Sequence, residues 1–198
     1  MEASITFKSV AKKIKDDTLL ADLSFGVEKG TRFAIVGPNA SGKSTIIKLL
    51  SGILQKDKGS IYIKGFDMSL KSNKIKNIVG YMPQVSEFDY EINVIDNLSI
   101  YGQLFGLTKE SVINKIKKLS KSLNFSDYLF SYPDELSVGV KRILMFARSI
   151  IHNPEIILLD EPTANIDPTN RDIIWNYISN NLQDSTILYT TNNFDDAQ

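Results

Sequence analysis

The chain has 198 residues, 23 lysines and arginines against 23 acids, one histidine and no cysteine. At roughly 150 residues per domain this is one domain, long enough to bury a core, and its zero net charge argues against a general nucleic-acid binder. Without cysteine there is no disulfide, thiolate metal site or cysteine nucleophile, and one histidine excludes a three-histidine metal cage. The N-terminus (MEASITFKSV) lacks a basic stretch followed by a long apolar one, so no secretion signal is expected. Apolar runs such as Ile156–Leu159 are too short to span a bilayer.

Along the chain, Leu19–Val27 reads as a strand, Arg32–Val36 (RFAIV) as a short buried strand, and Ser44–Leu50 as a helix stopped at Gly52. Gly59–Gly65 and Ile78–Met82 read as further strands. The character changes over residues 88–150. Asn93–Leu107 and Glu110–Leu123 have helical spacing, and Val138–Ile151 is a helix stopped by Asn153-Pro154. Strands return at Ile156–Asp160 and Thr186–Thr190, with a helix around Arg171–Leu182 between them. Strands alternating with helices predict a mainly parallel sheet covered on its faces, interrupted by a helical insertion at about 88–150. No linker, repeat or low-complexity segment is present, and the lysine runs at Lys12–Lys15, Lys71–Lys76 and Lys115–Lys121 read as solvated faces.

Gly37–Thr45 reads GPNASGKST and fits G-x-x-x-x-G-K-[ST], after the strand ending at Val36 and before the helix opening near Ser44. Gly37, Pro38, Asn39, Ala40, Ser41, Gly42 and Thr45 form a loop of mostly small residues whose N–H groups can turn toward phosphate oxygens, aided by the helix N-terminus. Lys43 is placed to reach the β- and γ-phosphates, and the Ser44 hydroxyl to hold Mg²⁺. Far downstream, IILLD at Ile156–Asp160 is an apolar strand ending in a carboxylate. At the C-terminal edge of a parallel sheet, Asp160 sits beside that metal, and Glu161 is where a general base for an attacking water is needed.

Further segments accompany these two: YMPQ at Tyr81–Gln84, LSVGV at Leu136–Val140 with Lys141-Arg142 and Ala147-Arg148 after it, EPT at Glu161–Thr163, ANID at Ala164–Asp167, and TTNNFDDAQ at Thr190–Gln198. In this order the chain resembles the nucleotide-binding domain of ABC transporters over essentially its whole length. The resemblance implies a P-loop NTPase: a mainly parallel sheet flanked by helices, a small N-terminal antiparallel β part, and a helical subdomain at about 88–150 within one domain, residues 1–198. It implies ATP and Mg²⁺ as ligands, with Gln84 of the Q-loop touching metal and attacking water, and Ser44 and Asp160 completing the metal set. Ser137 and Gly139 of the signature face a partner subunit's γ-phosphate, and Asp167 ties the two sites across the dimer. Family members generally continue beyond the switch segment with more strand and helix.

Three positions depart from the family's pattern. Val138 replaces the first glycine of the signature, and its β-branched side chain stands where backbone approaches nucleotide; Val140, also apolar, is a milder change. Asn192 occupies the place of the switch histidine; it can donate a hydrogen bond but cannot titrate near neutrality. The one histidine, His152, lies at the end of the signature helix and reads as structural. Ile14 is the best match to the aromatic that stacks on adenine, an aliphatic cover without a π face.

The resemblance therefore implies an ATPase subunit, slowed by Val138 and Asn192, that dimerises with a second nucleotide-binding subunit. It drives separate transmembrane permease subunits from the inner face of the cell membrane, without nucleic acid and without inserting in the bilayer. Asn93–Leu107 and the apolar fifth signature residue look export-type. Phe88, Tyr90 and Ile92 are candidates for a groove that receives the membrane subunit, whereas Tyr101, Phe105 and Trp175 read as packing. The alternative is a regulatory subunit that binds ATP and hardly hydrolyses it, in an asymmetric dimer. Soluble ABC proteins acting on DNA or ribosomes carry coiled-coil insertions or tandem cassettes, which this sequence lacks.

Overall fold

A computed structural model describes residues 3–15, 17–70 and 73–197. Lys71 of the second lysine run and Gln198 of the switch segment lie outside the described residues. The chain divides into two compact units.

The first unit comprises residues 1–81, 154–161 and 184–198. It carries β1 (Ala3–Ile14), β2 (Asp17–Glu28), β3 (Arg32–Val36), α1 (Lys43–Leu50), β4 (Lys58–Ile63), β5 (Phe66–Asp67), α2 (Asn73–Ile78) and β6 (Val79–Met82, whose last residue belongs to the second unit). Two later strands, β7 (Ile156–Asp160) and β8 (Thr186–Thr191), complete it. One sheet has the order β2-β1-β4-β5 and is antiparallel; the other has the order β3-β8-β7-β6, with β8 parallel to both β3 and β7. All five residues of β7 and all six of β8 are buried, so neither strand alternates between apolar and exposed polar residues; β7 is an apolar run ending in Asp160, and β8 buries three threonines and Tyr189 beside Ile187 and Leu188. Helix α1 lies against β7 and β8 and buries Ile46, Ile47, Leu49 and Leu50. At about 1.5–3 kcal/mol for each fully buried aliphatic side chain, this packing holds the loop before the helix against the sheet.

The second unit comprises residues 82–153 and 162–183. It is helical: α3 (Val94–Leu104), α4 (Lys109–Ser122), α5 (Val138–Ile150) and α6 (Pro168–Asn181). Each helix begins at a side chain that accepts a backbone N–H of its first turn, from Asn93, Thr108, Ser137 and Asp167 respectively. Helix α3 packs on α4, and α5 packs on both α3 and α6. Among the described residues no helix is long and apolar enough to cross a membrane.

Candidate active site

The glycine-bearing loop leaves β3 at Val36 and enters α1 at Lys43. Ala40 and Gly42 both have positive φ, 64° and 91°, and reverse the chain within a few residues. A side chain at Gly42 is excluded twice: the backbone is left-handed, and a Cβ would stand 2.9 Å from the Leu19 carbonyl oxygen and 3.1 Å from Leu20 Cδ2. Gly42 caps α1 without any side-chain bond, so the orphan N–H groups of the first turn are kept for an incoming anion. Lys43 folds back over its own loop. Its ammonium donates to the carbonyl oxygens of Gly37 at 2.7 Å and Pro38 at 2.9 Å, and lies 3.8 Å from Glu161 Oε1.

The acidic end of the site comes from β7 and β8. The Ser44 hydroxyl donates to Asp160 Oδ1 at 2.9 Å, and Thr190 Oγ1 donates to the same oxygen at 2.7 Å. Glu161 leaves the strand with φ 48°, a conformation costing a non-glycine residue about 1–3 kcal/mol, and its N–H donates to Thr190 Oγ1 at 2.9 Å. Lys43, Asp160 and Glu161 are all buried. A hydroxyl and a carboxylate 2.9 Å apart offer hard oxygen donors, the kind Mg²⁺ takes when phosphate and water supply the rest of its shell. The first unit thus brings together Lys43, Ser44, Asp160 and Glu161. Asn192, just past β8, is exposed, and Ile14 is 46% exposed at the tip of the β1–β2 hairpin.

Gln84, Ser137, Gly139 and Asp167 belong to the second unit. Gln84 is exposed, and its carbonyl accepts from Arg142 Nη1 at 2.6 Å. The same buried guanidinium donates to the carbonyls of Pro83 and Pro162, at 3.1 and 3.3 Å, so α5 holds the backbone at Pro83-Gln84 and at Pro162. In the sequence Arg142 is legible only as part of the segment after the signature, because the carbonyls that it binds lie 20 to 59 residues away. Ser137 caps α5, its Oγ accepting the Val140 N–H at 3.3 Å. Val138 is the first residue of α5, without positive φ, and 60% exposed. The β-branch therefore strains no backbone here and presents an isopropyl group at an exposed position.

Gly139 is buried against the start of α6. A Cβ there would stand 2.3 Å from Asn170 Nδ2 and 3.1 Å from Asp167 Oδ2. Asp167 caps α6 by accepting the Asn170 N–H at 3.0 Å and takes a second bond from the Asn170 amide. These bonds, the backbone one first, hold the Asp167 carboxyl below its usual pKa. Gly139→Ala must therefore push Asn170 off Asp167. The expected cost is about 1–3 kcal/mol, read as a drop in Tm of roughly 2–10 °C in a thermal melt.

His152 stacks on Phe105, with ring centroids 3.8 Å apart, in keeping with a packing role. Phe88 lies 5.7 Å beneath the Arg148 guanidinium, while Tyr90 is 51% exposed and flanked by the Lys141 ammonium at 5.7 Å. Of the groove candidates, Tyr90 is the one that presents a ring to solvent. Lys12 and Lys115 depart from the solvated reading: Lys12 pairs with Asp57, and Lys115 donates to the Ile151 carbonyl at the end of α5.

Comparison with known proteins gives a consistent picture. The family model described as ABC transporter matches residues 20–164. The Nod factor export ATP-binding protein I of Burkholderia lata is 32% identical over 197 residues, covering 99% of this chain and 65% of that protein. The chain thus spans about 65% of the length of the curated relatives it matches first. A solved structure titled as the ATP-binding subunit of an ABC transporter superposes with a TM-score of 0.87 at 23% identity, covering 98% of this chain and 81% of the other. Another, titled as a dimeric post-hydrolysis state of an ATP-binding cassette bound to ADP and Pi, gives 0.86 at 20% identity, covering 96% and 89%.

Proposed function

Because the chain belongs to the ABC transporter family, we propose that it is the ATP-binding and ATP-hydrolysing subunit of an export-type transporter, working as a dimer beneath separate membrane subunits. The observation that carries this reading is the convergence of Lys43, Ser44, Asp160 and Glu161 on one sheet edge. Lys43 and the loop N–H groups hold the phosphates, and Ser44 and Asp160, with Gln84, hold Mg²⁺. That ion, when bound, would neutralise negative charge developing on the phosphate oxygens. Glu161 accepts the proton of the attacking water, and Asn192 stands where the family has a charged donor. Ser137 and Gly139 serve the partner's nucleotide, and Asp167 links the two sites. Ile14 covers the base: its strand is paired through Lys12 with Leu20, which abuts Gly42. An export role is supported by the relative named for Nod factor export, and a dimer by the dimeric cassette of the same fold. The place of action is the inner face of the cell membrane.

Phosphate release from the purified chain, alone and with its membrane subunits, tests the proposal. Release above background that rises with the membrane subunits is expected. ATP binding with background release in both settings selects the second reading, a regulatory subunit, which the exposed Asn192 and Val138 favour.

A further inference from the structure

Thr190 serves both acidic residues of the site at once. It is fully buried on β8 and pairs in parallel register with Asp160 on β7. Its hydroxyl donates to Asp160 Oδ1 and accepts the Glu161 N–H. Neither bond can reverse, because an ionised carboxylate only accepts and an amide N–H only donates. The hydroxyl proton therefore points at Asp160. Ser44 donates to the same oxygen, so if its hydroxyl turns to a metal ion, Thr190 keeps a bond on that oxygen.

We propose that Thr190 is a positioning residue: it fixes the direction of the Asp160 carboxylate and holds the left-handed backbone from which Glu161 projects. This rests on reading the site as a MgATP site. Thr190 touches neither nucleotide nor water in this role; it acts through the two acids. Valine matches threonine in shape and keeps its packing but has no hydroxyl. Serine keeps the hydroxyl and gives up a methyl group. A positioning role and a packing role thus predict opposite orders for the two variants.

The test uses the full chain and a fluorescent ATP analogue, titrated with Mg²⁺ and with EDTA, alongside single-turnover phosphate release. Thr190→Val is expected to leave the EDTA dissociation constant unchanged while the tightening by Mg²⁺ and the release rate each fall about 10–100-fold, as for other residues that orient metal ligands. Thr190→Ser is expected to recover most of both. If Thr190→Val does not fold, Thr190→Cys, whose thiol fills the space but bonds weakly, is expected to show the same losses in smaller measure. An unchanged Mg²⁺ effect in Val or Cys, or a serine variant worse than valine, overturns the role of Thr190. A wild-type chain that binds no nucleotide overturns the MgATP reading itself.

Discussion

Glu161→Gln lowers phosphate release by about 10²–10⁴-fold and leaves ATP binding equal or tighter, if Glu161 is the general base. Glutamine keeps the length and shape of the side chain but cannot take a proton from water. Glu161 is held for such a role: it is buried, its backbone is anchored on Thr190, and its Oε1 lies 3.8 Å from the Lys43 ammonium. That ammonium faces one carboxylate and two carbonyls. A γ-phosphate brings further negative charge to the same place, so removing the carboxylate's charge lowers repulsion toward it. Binding and chemistry therefore respond in opposite directions, and a titration with labelled nucleotide beside a single-turnover assay separates them. A variant that releases phosphate at the wild-type rate removes Glu161 from the reaction. One that fails to bind as well shows damage to the loop, and a thermal melt then identifies the loss of fold.

The phosphate end of this site is legible in the sequence because its parts are local. The loop, its lysine and the start of α1 lie within nine consecutive residues, and β3 and β7 fall where short apolar runs end at Val36 and Asp160. What sequence could not supply is the link between distant segments. Thr190 meets Asp160 through a parallel register set 30 residues away, and locally it is one of three threonines in a wholly buried strand, with nothing to single it out. Gly139 is legible as part of a signature but not as a residue packed on Asn170, since nothing near it in the chain marks that contact. Strand β1 is not legible in the sequence as a strand. Its alternation breaks between Phe7 and Val10, where Ser9 takes φ 48° and its N–H bonds to Ser24 Oγ, and lysines occupy positions 8, 12 and 13. As the inner strand of the antiparallel sheet it is stabilised by two neighbours, which offsets a poor pattern. Helix α2, six residues of NKIKNI, is too short for periodicity to be distinguished from a turn.

Asn192→His raises turnover at saturating ATP, by up to about 10²–10³-fold if the donor facing the transferred phosphoryl group limits the rate. His152, the single histidine of this chain, is stacked on Phe105. Asn192 is exposed just beyond β8, so an imidazole enters without displacing a packed neighbour, and the variant is expected to fold as well as the wild type. The next residue, Asn193, caps the turn that follows, its Oδ1 accepting the Asp195 N–H at 3.0 Å. A gain from histidine also carries a signature that better binding alone does not. An imidazole titrates near neutrality and asparagine does not, so the variant's rate acquires a pH dependence around pH 6–7 that the wild type lacks. If instead the rate and its pH profile are unchanged, the switch position is not limiting. Either the signature, with the exposed isopropyl group of Val138, or a missing partner then limits the rate, and a faster Val138→Gly variant identifies the signature.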